Sequence, residues 1–331
     1  MVSSPQSDVA PLLRVEGLSV GFSLSGQVAP AVEEVGFSLC AAGTLCLVGE
    51  SGCGKSVTAL ALAGLLPCPP ARVLGGSALF EGRDLLCLSE KELRDLRGSR
   101  IGMIFQDPAS SLNPVMRVGD QIAEGLRLHK NLSAKDAAAA AADMLRRVGI
   151  QHPKERARDF PHQLSGGMCQ RVMIAMALAC EPSLIIADEP TTALDVTVRG
   201  QILDLLHELR QARSGGVLLI THDMGVVRRA ADSVAVMYAG RIVEIGPPEG
   251  VTGDPLHPYT RGLMDSLPQA GGRERLKAIP GTVPDPRRRP PGCTFHPRCP
   301  VAFERCRQEA PPLYSCGPER AGRCFLLEKD A

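Results

Sequence analysis

One eight-residue stretch constrains this chain more than any other. Residues 49–56 read GESGCGKS. The apolar run TLCLV (44–48) precedes them, and a helix-like segment runs from Lys55 to about Leu66 after them. Gly49, Gly52 and Gly54 let the backbone curl until several N–H groups point at one anion. The start of the following helix adds the positive end of its dipole. The pattern G-x-x-x-x-G-K-[S/T] between a strand and a helix is that of a phosphate-binding loop. Lys55 is expected to reach the β- and γ-phosphates of a nucleotide, and Ser56 to offer its hydroxyl to Mg²⁺. Glu50, Ser51, Cys53 and Val57 complete the candidate nucleotide contacts. The bland alternative is a glycine-rich turn that merely caps a helix, and the strand and helix on either side argue against it. Cys53 fills a free loop position, which makes it an expected target for thiol reagents.

The second half of a nucleotide site reads LIIADE at 184–189. Four apolar residues fill a buried strand, and Asp188 emerges at its C-terminal end, where open α/β sheets bind ligands. Asp188 is placed to hold Mg²⁺, and Glu189 to polarise an attacking water as general base. Together the two elements define a P-loop NTPase without saying which kind.

The first 250 residues alternate strands and helices. Residues 13–22, 101–105, 184–187, 217–221 and 233–237 read as strands, and 166–180 and 196–213 as helices. The expectation is an α/β fold with a mostly parallel sheet covered by helices on both faces. Residues 118–160 have helical spacing and no strand signal, so a helical insert is expected over about 118–180. Its alanine run, 137–142, reads as helix filler. After Gly246 the texture changes. Twelve prolines, among them Pro247, Pro248, Pro268, Pro290 and Pro291, fall between 247 and 300, where regular structure is hard to sustain. The expected division is a nucleotide-binding domain over 12–246 and a small, loop-rich extension over 247–331. The triplet Arg287-Arg288-Arg289 reads as a solvated linker. His257 and His296 each precede a proline, and neither is assigned a ligand role.

The chain of 331 residues has a formal net charge of +1, 44% hydrophobic and 22% charged residues. That balance gives no global pull toward nucleic acid or anionic lipid. No apolar run approaches the roughly 18 residues of a membrane-crossing helix, and MVSSPQSDVAP does not read as a signal peptide. Membrane work is therefore expected to pass through a partner. Seven of the twelve cysteines are scattered through the first 180 residues. Cys40, Cys46 and Cys180 among them read as small buried hydrophobes, and the scatter predicts a reducing compartment.

An ordered set of short motifs narrows the class. Phe105-Gln106-Asp107-Pro108 ends an apolar run. Leu164-Ser165-Gly166-Gly167-Met168 follows, then the Asp-Glu pair, Ala193-Leu194-Asp195, and Thr221-His222-Asp223. The set resembles the ABC ATPase superfamily. The resemblance implies that Ser165, Gly166 and Gly167 bind the γ-phosphate of a nucleotide held by a second subunit. It implies His222 as a switch histidine and Gln106 as a sensor of Mg²⁺ and water. It implies Asp195 as a link across a dimer and Phe22 as an aromatic stacking on adenine, though Phe22 also reads as a plain core aromatic. Lys55, Glu189 and His222 are then the catalytic set, and Ser56, Gln106 and Asp188 the Mg²⁺ set. Met168 and Cys169 depart from the commonest pattern without removing a phosphate-binding group.

Longer stretches, FQDPASSLNP (105–114), ADEPTTALDVTV (187–198), HPYTRGL (257–263) and GCTFHPRCP (292–300), resemble the ATPase subunits of bacterial dipeptide/oligopeptide importers. PHQL and LSGGM lean toward the D-type subunit. That family implies a second, different ATPase subunit, two transmembrane permeases, an extracytoplasmic peptide-binding protein, and a peripheral place on the cytoplasmic face of the membrane. Nickel importers have related ATPases, and a soluble ABC ATPase acting on nucleic acid or ribosomes is the competing class. The single cassette and neutral charge balance disfavour that class. Cys293, Cys299, Cys306 and Cys324, with Cys316 as an extra, cluster on the extension. Soft ligands on a small loop-rich module suit iron–sulfur or zinc, and their spacing fits neither common zinc pairs nor ferredoxin runs. The family resemblance implies a [4Fe–4S] cluster at these four cysteines; free or opportunistically paired thiols are the alternative.

Overall fold

The computed structural model describes residues 10–24, 26–191, 194–266 and 278–328. Its strands are β1 (Leu13–Leu24), β2 (Gln27–Leu39), β3 (Thr44–Val48), β4 (Ala71–Phe80), β5 (Arg83–Asp84), β6 (Ile101–Ile104), β7 (Leu184–Asp188), β8 (Gly216–Ile220), β9 (Ser233–Tyr238), β10 (Arg241–Gly246), β11 (Tyr314–Ser315) and β12 (Ala321–Gly322). The chain divides into two compact units. One takes in the residues up to Leu39, Leu45–Leu86 and Thr221 onward; the other takes in Cys40–Thr44 and Cys87–Ile220.

In the first unit, β2, β1, β4 and β5 form an antiparallel sheet in that order. Leu13 faces Leu39 on one side and Phe80 on the other, which sets the register. A second layer in the same unit pairs β3 with β9 in parallel, Leu45 opposite Ser233 and Val48 opposite Val236. The chain then turns back antiparallel through β10, β12 and β11. β3 is buried along its whole length, and β9 is buried from Val234 to Tyr238. That explains the unbroken apolar runs, since strands covered on both faces have no polar side to show.

The extension is built into this unit. Glu244 on β10 is fully buried and accepts hydrogen bonds from the backbone N–H of Leu256 and His257, both at 2.9 Å. Burial raises its carboxyl above the usual range. Arg289 donates to Glu33 of β2 and to the carbonyl of Pro30, and Arg241 of β10 also grips Glu33. Arg289 is thus no part of a solvated linker, because the carboxylate and carbonyl of β2 draw it in.

The second unit carries the parallel strands β6, β7 and β8, with β7 between the other two. Helices Val118–Lys130 and Ala134–Arg147 pack there with helix Gly166–Leu178. Val118, Ile122 and Leu126 bury one stripe, and Ala137, Ala141 and Leu145 another, at the four-residue spacing of one helix face. Ala137 and Ala141 have no exposed surface. They are contact residues rather than filler, since a methyl side chain lets helices approach closely. Of the stretches named above, residues 1–9 of MVSSPQSDVAP, Thr192, Ala193 and Pro268 lie outside the described residues.

Candidate functional site

The phosphate loop lies in the first unit between β3 and helix Lys55–Leu62. Gly49 has φ 153° and Gly54 has φ 107°, values that L side chains rarely adopt. Space forbids a side chain as firmly as φ does. A Cβ on Gly49 would stand 2.2 Å from the Met237 carbonyl oxygen, and one on Gly54 2.9 Å from that of Ala31. Gly54 is the N-cap of the helix and no side chain caps it, so the first-turn N–H groups are left to a ligand or solvent.

Lys55 is buried, and its Nζ donates to the carbonyls of Gly49 (2.7 Å) and Glu50 (2.9 Å). Ser51 and Gly52 are exposed, while Ser56 and Val57 are half-buried. Cys53 has no exposed surface, and burial raises its thiol above the usual range even beside Lys55. The expectation of easy attack by thiol reagents is thereby corrected, because the nucleophile is the accessible thiolate. Cys40 is likewise corrected: it is exposed, while Cys46 and Cys180 are buried as expected.

Two further residues of this unit belong to the candidate set. Phe22 sits half-buried in β1, opposite Ala29 of β2 and Ala71 of β4. His222 is exposed in the turn after β8. Its neighbours fix that turn: Thr221 Oγ1 accepts from the Asp223 N–H at 3.0 Å, and Asp223 caps helix Met224–Ala230.

The second unit gathers the other candidates. Asp188 ends β7 and is buried. Glu189 follows at φ 48°, in the left-handed region, with its N–H bonded to the Ile220 carbonyl at 2.9 Å. A non-glycine residue held there stores strain, and the effect is to turn the Glu189 side chain off the strand's alternation. Gln106 is exposed just after β6. Ser165 is the N-cap of helix Gly166–Leu178, its Oγ accepting from the Met168 N–H at 3.3 Å. Such a cap is worth about 1 kcal/mol; at this helix start Ser165 and Gly166 are exposed and Gly167 is half-buried. Asp195 caps helix Val196–Arg213 in the same way, accepting from the Val198 N–H at 3.0 Å. Sequence reading missed Gln170. It is fully buried in helix Gly166–Leu178, and its amide donates to the carbonyl of Pro190, directly after Glu189.

The extension brings Cys293, Cys299, Cys306 and Cys324 to the wall of one cavity, with Phe295 and Phe325 beside them. Burial pushes the Cys293 thiol up to about 11 and raises those of Cys299 and Cys324. Among the described residues, no group of three or more His, Cys, Asp or Glu is drawn close enough to hold a metal ion. His257 is fully buried and neutral, its Nδ1 accepting from the Tyr259 N–H at 3.0 Å.

A strand-to-helix phosphate loop, an Asp-Glu pair ending a buried strand and a capped serine-glycine-glycine helix start define an ABC ATPase. Comparisons agree. Residues 32–192 match the ABC transporter family and residues 243–306 the oligopeptide/dipeptide transporter C-terminal region. A dimeric ATP-binding cassette, MJ0796, bound to ADP and Pi is similar in structure, with TM-score 0.66 and 25% identity, covering 71% of this chain and 98% of that one. Among curated relatives, the oligopeptide transport ATP-binding protein AppD of Bacillus subtilis is 46% identical, covering 97% of this chain and 98% of the relative. The dipeptide transport ATP-binding protein DppD of the same organism is 48% identical, covering 97% and 96%. A probable peptide ABC transporter ATP-binding protein of Sinorhizobium fredii is 49% identical, covering 98% and 97%. The chain belongs to the ATP-binding proteins of the oligopeptide and dipeptide ABC transporters.

Proposed function

We propose that this chain couples ATP binding and hydrolysis to the uptake of dipeptides or oligopeptides through separate membrane permeases. The observation that carries the reading is the phosphate loop on the same chain as the oligopeptide/dipeptide C-terminal region. Lys55 and the loop N–H groups hold the phosphates. Ser56, Gln106 and Asp188 are the residues that would hold Mg²⁺, and the buried Asp188 carboxylate suits a hard cation. That ion supplies charge neutralisation at the β- and γ-phosphates. Glu189 takes the proton of the attacking water, His222 orients it, and Phe22 stacks on the base. Ser165, Gly166 and Gly167 serve the nucleotide of a second ATPase subunit, a different chain, with Asp195 linking the two. No helix among the described residues is long and apolar enough to cross a membrane. The permeases supply that function, with an extracytoplasmic peptide-binding protein delivering cargo and this chain peripheral on the cytoplasmic face.

Cys293, Cys299, Cys306 and Cys324 are the ligands of a [4Fe–4S] cluster in this reading. Their shared cavity supports it, and a cluster spaces its ligand sulfurs farther apart than a single ion does. Such a group supplies cross-links to a segment with little core of its own.

The test is co-expression with candidate permeases. Co-purification and ATPase activity stimulated by peptide-loaded binding protein are expected. Activity driven by RNA and indifferent to permeases would overturn the reading. The same preparation, isolated without oxygen, should contain iron and sulfide; colourless protein with stoichiometric zinc would exclude the cluster.

A further inference from the structure

Glu50 is the second residue of the phosphate loop, and the extension holds it from two sides. Its carboxylate receives a two-pronged grip from Arg298, Nη1 to Oε2 at 2.6 Å and Nη2 to Oε1 at 2.9 Å. Its backbone N–H donates to the Tyr259 hydroxyl at 2.8 Å. The remaining polar group, its carbonyl, accepts from Lys55 Nζ at 2.9 Å. Every polar group of Glu50 is thus engaged, two of the three by residues more than 200 positions away in sequence.

Arg298 is itself fixed. Its side chain is 5% exposed. Nε donates to the Pro280 carbonyl at 2.7 Å, and the guanidinium lies 5.7 Å from the centre of the Tyr238 ring. Tyr238, Tyr259 and Phe295 pack against one another at centroid distances of 4.6 to 5.4 Å. The result is a stiff aromatic support under a planar, permanently charged fork.

The charge arithmetic gives this contact a purpose. A carboxylate in a loop that receives a polyphosphate repels its ligand, and the repulsion is strong where water is scarce. Arg298 neutralises that carboxylate and pins its two oxygens away from free rotation. We propose that Arg298 is a positioning residue of the nucleotide site, acting through Glu50, with Tyr259 as its second support. The C-terminal extension therefore sets the affinity of the phosphate loop for nucleotide. This inference rests on the nucleotide reading of the loop.

The experiment measures binding of a fluorescent ATP analogue to the full chain, together with KM, kcat and thermal melting. Arg298→Ala leaves the Glu50 charge unpaired, and a partner stranded in this way is costly. It is expected to weaken binding about tenfold and raise KM in parallel, with kcat at saturating ATP within about twofold. Adding Glu50→Gln to that variant removes the stranded charge and is expected to recover most of the lost affinity, which loss of fold would not allow. Tyr259→Phe keeps the ring packing and removes only the acceptor, with an expected loss of about threefold; it decides the matter if Arg298→Ala does not fold. Unchanged affinity in Tyr259→Phe and in a folded Arg298→Ala would overturn the proposal, as would a double variant no better than the single. A Lys55→Ala chain that binds the analogue like the parent would instead overturn the nucleotide reading itself, and this inference with it.

Discussion

At the scale of single residues, Glu189 carries the sharpest prediction. Its left-handed backbone sets it apart from Asp188, which keeps the buried strand geometry. In the proposed function Asp188 holds the metal and Glu189 takes the proton. Glu189→Gln is expected to bind ATP while hydrolysis falls at least about a hundredfold, the scale of a lost general base. Size-exclusion chromatography with ATP and the partner ATPase subunit should then show a persistent dimer. Normal turnover would remove Glu189 from the role. Most of these residues were legible in the sequence because each motif is short and contiguous. Gln170 was not, since a polar residue inside an apolar helix gives no hint that it holds the carbonyl of Pro190. Arg298 was missed for a related reason, because its partner Glu50 lies 248 positions away.

At the scale of elements, legibility followed burial. β3, β7 and β8 are wholly buried, and their apolar runs predicted them to within a residue. β2 and β4 were not foreseen. β2 carries Pro30, Glu33 and Glu34, and its pairing with β1 shifts register between Val15 and Gly21. β4 is exposed over most of its first half and contains Gly75 and Gly76, so it shows no alternation to read. β10 departs from the parallel pattern, because it turns antiparallel against β9. The arginine grip on Glu33 of β2 has a pH signature. Arg241, by its hydrogen bond first and its charge next, together with Arg289, holds the Glu33 carboxyl below the usual carboxylate range. A lowered native value means that the unfolded chain takes up the proton first. This part of the stability is complete above about pH 4.5 and is lost as the pH falls through the native value. Melting curves from pH 7 down to pH 3 should show a steeper acid loss in the parent chain than in Glu33→Gln, with the two converging at the acid end. Parallel profiles would show that the Glu33 contacts contribute nothing.

At the scale of the whole molecule, the site residues divide between two compact units. Lys55 and His222 are in one; Asp188, Glu189 and Ser165 are in the other. Ser165 is exposed and caps a helix whose first residue, Gly166, is exposed too, as is expected of a group that serves another subunit. In the assembled transporter, Ser165→Ala is expected to slow hydrolysis at the partner's nucleotide while this chain still binds its own ATP. Labelling each subunit separately with a photoreactive ATP, alongside phosphate release, would separate the two effects. A loss confined to this chain's own binding would refute action in trans. The aromatic support beneath Glu50 has one more consequence, an optical one. The chain has no tryptophan and three tyrosines. Two of them, Tyr238 and Tyr259, stand in that support, and Tyr259 touches the phosphate loop directly. Two of the three tyrosine fluorophores therefore stand in or beside the phosphate loop, and the intrinsic emission of the unlabelled chain is expected to change when the loop is occupied.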